Sequence, residues 1–244
     1  IAMKMTVIMR RELSSYFSTP IAYVFILIFL VLAGVFTFYI GNFYERMQAD
    51  LVPFFSFHPW LYLFLIPAIS MRMWSEERNS GTLELLLTLP VSRTEIILGK
   101  FLAAWLFSGL ALILTFPLWI SVNYLGNPDN GVILASYIGS WLMAGGFLSI
   151  GSCMSALTRS QVVAFVLCGF ITLLFVMAGF PLVLDLFRGW VPLLILDAIT
   201  SLSFLTHYNS ITKGVLSLND FLYFISIIVA WLFATAIAIE SKKS

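Results

Sequence analysis

Runs of residues without Asp, Glu, Lys or Arg set the pattern of this chain, at 20–41, 51–71, 101–124, 132–157, 162–184 and 221–239. Each holds roughly 19 or more residues, about the length a helix needs to cross ~30 Å of hydrocarbon. A soluble domain also buries apolar helices. Six such runs in 244 residues leave too little polar sequence to cover them. The pattern therefore predicts an all-α integral membrane protein with six transmembrane helices, in a single domain over 1–244.

Between the runs, the polar segments predict the remaining elements. In 3–19, Met5, Ile8, Met9, Leu13, Tyr16 and Phe17 fall on one helical face, with Thr6, Arg10, Arg11 and Ser14 elsewhere. That is the pattern of an interfacial helix on the inner leaflet, its arginines toward headgroups. Glu12 projects onto the apolar stripe, so it either snorkels or pairs with a basic residue from a neighbouring span. Pro20 opens the first span where a helix needs no backbone donor. Ser92-Arg93-Thr94-Glu95 reads as a capping box with Val91 and Ile96 as its hydrophobic staple, and Pro90 separates it from the preceding segment. Thr158-Arg159-Ser160-Gln161 repeats the device, with Leu157 and Val162 as staple, and predicts a tight turn between antiparallel neighbours. In the fourth run Ser140, Ala144, Gly145, Ser149, Ser152 and Ala156 predict close helix packing, more readily within the chain than between copies.

Composition agrees with the pattern: 61% hydrophobic and 10% charged residues, with a mean hydropathy of +1.00. With six spans both termini share a side with the segments 72–100 and 158–161. That side holds Lys4, Arg10, Arg11, Arg72, Arg78, Arg93, Lys100, Arg159, Lys242 and Lys243; the other has only Arg46, Arg188 and Lys213. The positive-inside rule then puts both termini in the cytoplasm. The first apolar run is too long for a cleaved signal and lacks a small-residue cleavage site, and Ile1-Ala2-Met3 is read as not the native start. Cys153 and Cys168, inside apolar runs, read as small packing residues.

Candidate chemistry is sparse. No P-loop motif occurs, so ATP hydrolysis would have to come from another chain. His58 and His207 stand alone without metal-ligand spacing, and His58 with Trp60 and Tyr62 fits an aromatic belt at the outer interface. Ionisable residues are missing from the spans except at their ends, against a proton relay or ion-coupled transporter. No basic patch interleaved with aromatics points to nucleic acid.

The polar surface concentrates in Glu76-Glu77-Arg78-Asn79-Ser80-Gly81-Thr82-Leu83-Glu84-Leu85-Leu86, where a short amphipathic helix is expected around 80–87, followed by the Pro90 break. It is either a loop that orients the protein or a platform for a soluble partner. Acidic residues anchor poorly on anionic lipid, which argues for the platform.

That block, continuing through Pro90, Ser92 and Arg93 to Gly99-Lys100, resembles the cytoplasmic loop of ABC-2-type transporter permeases. The opening Arg11-Glu12-Leu13, Tyr16-Phe17 and Pro20-Ile21-Ala22-Tyr23 is similar to a branch that includes gliding-motility and nitrous-oxide-reductase-maturation permeases. The resemblance implies a permease subunit in a bacterial cytoplasmic (inner) membrane, paired with a second copy or a related permease and with cytoplasmic ABC ATPases that hold the ATP and Mg. A periplasmic partner is also implied for that branch. ATPase contact would fall on Arg10, Arg11 and Glu12 of the interfacial helix, and on Glu76, Glu77, Gly81, Thr82, Leu83 and Glu84 of the coupling loop 72–100. The family also folds the segment between its last two spans into an outer re-entrant hairpin. Here 185–220 fits, with two short apolar runs broken by Pro192 and Asp197. Export or translocation is the implied function, with mechanotransmission to an envelope machine as the alternative.

Overall fold

The computed structural model describes residues 2–84, 91–180, 183–185 and 192–241, and these are helical with no strand among them. In order, α1 is Ala2–Ser18 and α2 Pro20–Val35, the latter extended by a π-helical turn over Phe36–Ile40. Then come α3 Val52–Ser56, α4 His58–Ser70, α5 Arg72–Asn79, α6 Arg93–Ile113 and α7 Phe116–Leu125. The chain closes with α8 Asn130–Leu157, α9 Gln161–Met177, α10 Leu193–Ser201, α11 Phe204–Thr212 and α12 Leu218–Ser241.

Among the described residues, four helical stretches are long and apolar enough to cross a bilayer: Pro20–Ile40, Arg93–Leu125, Asn130–Leu157 and Leu218–Ser241. The other two predicted runs are built differently. Run 51–71 divides into α3 and α4, because Pro53 and Pro59 each occupy a first helical turn and Pro67 lies inside α4. A proline has no N–H and crowds the carbonyl one turn back, so each one weakens the ladder. Phe57 and Met71 nevertheless keep right-handed helical angles, and α3, α4 and α5 follow one another with little interruption. In the fifth run α9 has 17 residues and stops at Met177.

The centre of the bundle is α8, against which α4, α5, α6, α9, α11 and α12 all pack. Lipid tails are as apolar as leucine, so helices in a membrane associate through close fit and hydrogen bonds rather than through a hydrophobic drive. The small residues of α8 supply both. Trp105 and Trp141 stack with centroids 4.3 Å apart. Each indole N–H donates to the other residue's carbonyl, at 2.8 and 3.1 Å. A Cβ on Gly145 would stand 2.9 Å from the Trp105 Nε1, and one on Gly109 2.8 Å from the Trp141 Nε1, so the clasp needs both glycines. From α11, Tyr208 reaches Ser140 Oγ at 2.9 Å and donates to Phe55 O at 2.9 Å.

The cap at Ser92 forms as the sequence indicates: Glu95 N donates to Ser92 Oγ, and Glu95 Oε2 accepts from Ser92 N at 2.8 Å. The second cap shifts. Ser160, not Thr158, caps α9 by accepting from Val163 N, while Thr158 Oγ1 accepts from Ser160 N at 2.9 Å. The turn stays tight, and α8 and α9 pack as neighbours. In 185–220 the described part forms α10 and α11, broken at Leu202-Ser203 rather than at Asp197, because Ser203 Oγ caps α11. Residues 186–191 lie outside the described set. His58 corrects the aromatic-belt expectation: it is fully buried among Phe29, Phe54, Phe55 and Tyr62, with Nδ1 2.9 Å from Phe54 O. The proline-broken path turns it into the core.

A Cβ on Gly151 would overlap Ser70, whereas nothing lies within 4 Å of one on Gly34. Gly151→Val should therefore lose about 1–3 kcal/mol through overpacking. Gly34→Ala should be neutral or stabilising, as helix propensity favours alanine. Melting temperatures in one detergent check both, and a tolerated valine at 151 would contradict this packing.

Candidate functional site

The apolar stripe predicted for α1 lies partly buried along α6. Tyr16 stacks on Phe107 at 5.2 Å, and Phe17 meets the same ring edge-on. Close approach requires Gly99, where a Cβ would come within 2.8 Å of Ile8 Cγ2. The neighbouring residue is Lys100, only 5% exposed.

Lys100 is the centre of the charged junction. Its Nζ lies 2.8 Å from Glu77 Oε1 and 3.3 Å from Glu12 Oε2, with both carboxylates 18% exposed. It also stands 5.4 Å from the centroid of the Trp74 ring. One ammonium thus ties α1, α5 and α6 together. Behind it, α5 is fastened to α8. Trp74 Nε1 donates to Ser152 Oγ at 2.9 Å, and Ser155 Oγ accepts from the backbone N–H of Trp74 and Ser75 while donating to Met71 O. That uses one donor and two acceptors, the full capacity of a serine hydroxyl. Glu12 Oε1 accepts from Arg11 Nη2 at 2.9 Å. Glu77 Oε2 is buried and has no partner among the described residues.

Of the two readings of Glu12, the structure shows pairing. The other site residues anticipated from sequence divide by direction. Arg10, Arg11, Glu76, Gly81, Thr82 and Glu84 are exposed, while Glu12, Glu77 and Leu83 turn inward. Leu83 packs against the core. Glu76 is held by the Arg72 fork at 2.8 and 2.9 Å. That hydrogen bond holds its carboxyl below the usual carboxylate range, so Glu76 stays ionised at neutral pH and its share of the pair is lost as pH falls through its lowered pKa. Around Tyr16, burial and then the Glu12 charge push the hydroxyl pKa up, leaving it protonated. Gly81 takes φ +71, the left-handed turn that ends the charged stretch after α5. Residues 82–84 are helical, and the rest of the helix expected around 80–87, residues 85–87, lies outside the described residues.

Sequence reasoning missed Lys100 as the centre, along with Trp74 and Ser155. The signal available was a lysine at the edge of an apolar run, one residue after a glycine. Lys100→Met should leave two half-buried carboxylates facing each other and cost about 2–4 kcal/mol, somewhat under the range for fully buried pairs. The triple variant Lys100→Met, Glu12→Gln, Glu77→Gln should recover most of that loss. Thermal melting of the three proteins checks it, and a neutral single variant would contradict the junction.

The model of the family described as ABC-2 family transporter protein matches residues 26–240. Two relatives, each called probable multidrug ABC transporter permease YbhS, come from Escherichia coli strain K12 and from Escherichia coli O157:H7. Each is 33% identical over 87 residues, which is 36% of this chain and 22% of the relative. The match thus covers about a fifth of the length of these relatives. With the family model running from within α2 to the end of α12, the chain belongs to the ABC-2 transporter family.

Proposed function

We propose that the chain is the permease of an ABC transporter in a bacterial cytoplasmic membrane. It would act with a second copy or a related permease and with two cytoplasmic ATPase subunits, which carry the ATP and Mg. The six crossings are assigned to α2 with its π turn, α3–α4, α6–α7, α8, α9 and α12, within one domain over 1–244. The 185–220 segment is read as re-entrant from outside, and both termini as cytoplasmic. The skew of lysine and arginine toward one side supports this orientation. So does the ion pair of Arg93 with Glu240, which joins the start of α6 to the end of α12.

The observation that carries the reading is Lys100 bridging α1 and α5. The family resemblance seats the ATPase on α1 and on the loop 72–100 that α5 begins, and both lead through a carboxylate to α6. Exposed Arg10, Arg11, Glu76, Gly81, Thr82 and Glu84 would meet the ATPase, while Glu12, Glu77 and Leu83 would carry its motion inward. ATP-driven closure of the ATPases would bias the permease pair between two arrangements. For that the ATPases must fit one arrangement better than the other. Charge-free spans favour a lipophilic or amphipathic substrate moved along the seam between copies. The multidrug name of the matched relatives supports transport over an envelope machine.

Glu76→Lys changes an outward charge and leaves Lys100 with both carboxylates. Association with the ATPase should weaken at least about tenfold, since like-charge contacts cost several kcal/mol. Insertion should be unaffected because added positive charge follows the positive-inside bias. ATPase yield on co-purification and ATP turnover in nanodiscs are the readouts. If both are unchanged, 76 does not face the ATPase.

A further inference from the structure

A cavity of about 450 Å³ lies beside the junction. One end is lined by Arg11, Glu12, Arg72, Glu76, Glu77 and Lys100; the other by Ile21, Val24, Ile28, Leu65 and Ile69. From Ile21 to Ile28 along α2 is about 10 Å of helix, and so is Arg72 back to Leu65 along α5 and α4. The α4–α5 wall therefore changes from charged to apolar over that depth, while the α2 wall is apolar throughout. Ile21, Val24 and Ile28 remain 51, 53 and 40% exposed, so the apolar end opens sideways at α2, where a bilayer supplies acyl chains. The six charged side chains are three cations and three anions, a lining that favours neither a net anion nor a net cation. Glu77 belongs to that lining, and its second oxygen Oε2 has no accessible surface and no partner among the described residues, a costly state for a carboxylate oxygen.

We propose that this cavity holds one phospholipid whose headgroup carries a phosphate and a primary ammonium. The ammonium hydrogen-bonds to the Glu77 carboxylate, the phosphate faces Arg11 and Arg72, and an acyl chain lies between α2 and α4. A choline headgroup has the same net charge but no N–H, so it makes no hydrogen bond to Glu77. A glycerol headgroup brings the phosphate without a cation. Bound there, the lipid joins α1 and α2 to α5 beside Lys100.

The permease is purified alone and given phosphatidylethanolamine, phosphatidylcholine and phosphatidylglycerol at equal mole fraction, and retained lipid is counted by native mass spectrometry. Ethanolamine lipid should be retained at least tenfold over either competitor. Glu77→Gln should bring the ethanolamine and choline lipids within about twofold. Ile28→Trp, which fills the apolar end, should reduce retention to background without lowering the melting temperature. Equal retention by the unaltered protein would overturn the proposal, as would full retention by Ile28→Trp or a preference surviving Glu77→Gln. Displacement by soluble phosphoethanolamine would also overturn it, by removing the acyl chain's part. Should Glu77→Gln fail to fold, the unaltered protein and Ile28→Trp still decide. No ATPase is present, so the outcome is independent of the coupling reading.

Discussion

An ammonium group with 5% exposure persists only if the charges around it replace the water it has lost. For Lys100 these are Glu12 from α1 and Glu77 from α5, with the face of Trp74 beside them. Such a triad adds little net stability over a well-packed apolar substitute, but removing one member is expensive. Its consequence is positional. Neither α1 nor α5 can move far from the start of α6 without leaving a charge unpaired, so three elements distant in sequence share one arrangement.

Around that junction the bundle is held by contacts a lipid-embedded chain can use. Glycines and serines of α8 bring the backbones of α4, α6 and α11 close, and the hydroxyls and indoles fill the gaps with hydrogen bonds. Ser155 shows the connection: the hydroxyl that ties α5 to α8 sits on the backbone of Trp74, the residue under Lys100. The charged junction and the small-residue spine are parts of one framework.

Local features were legible in the sequence because local chemistry sets them. The Ser92 cap, the stripe of α1 and the packing role of α8 all follow from spacing alone. Run 51–71 was harder: its apolarity reads as a span, while Pro53, Pro59 and Pro67 divide it into shorter helices. The cap of α9 moved to Ser160 because two hydroxyls stand two residues apart, and either could begin the helix. The inward turn of Glu77 was not legible. Glu76 and Glu77 are adjacent and chemically equivalent, yet one faces the Arg72 fork and the other Lys100, a choice made by the fold. Burial of His58 escaped for the same reason, since its aromatic shell includes Phe29 from a different helix.

The central claim is that α1 and α5 move together as one unit locked by Lys100. Ser14 on α1 and Asn79 on α5 are both exposed and can carry spin labels. Their separation is measured by pulsed electron resonance in the permease–ATPase complex, without nucleotide and with ATP trapped. The account predicts one distance distribution in both states, and a broad, nucleotide-dependent one once Lys100 is replaced by Met. A shift of several ångströms between states with Lys100 intact would contradict it.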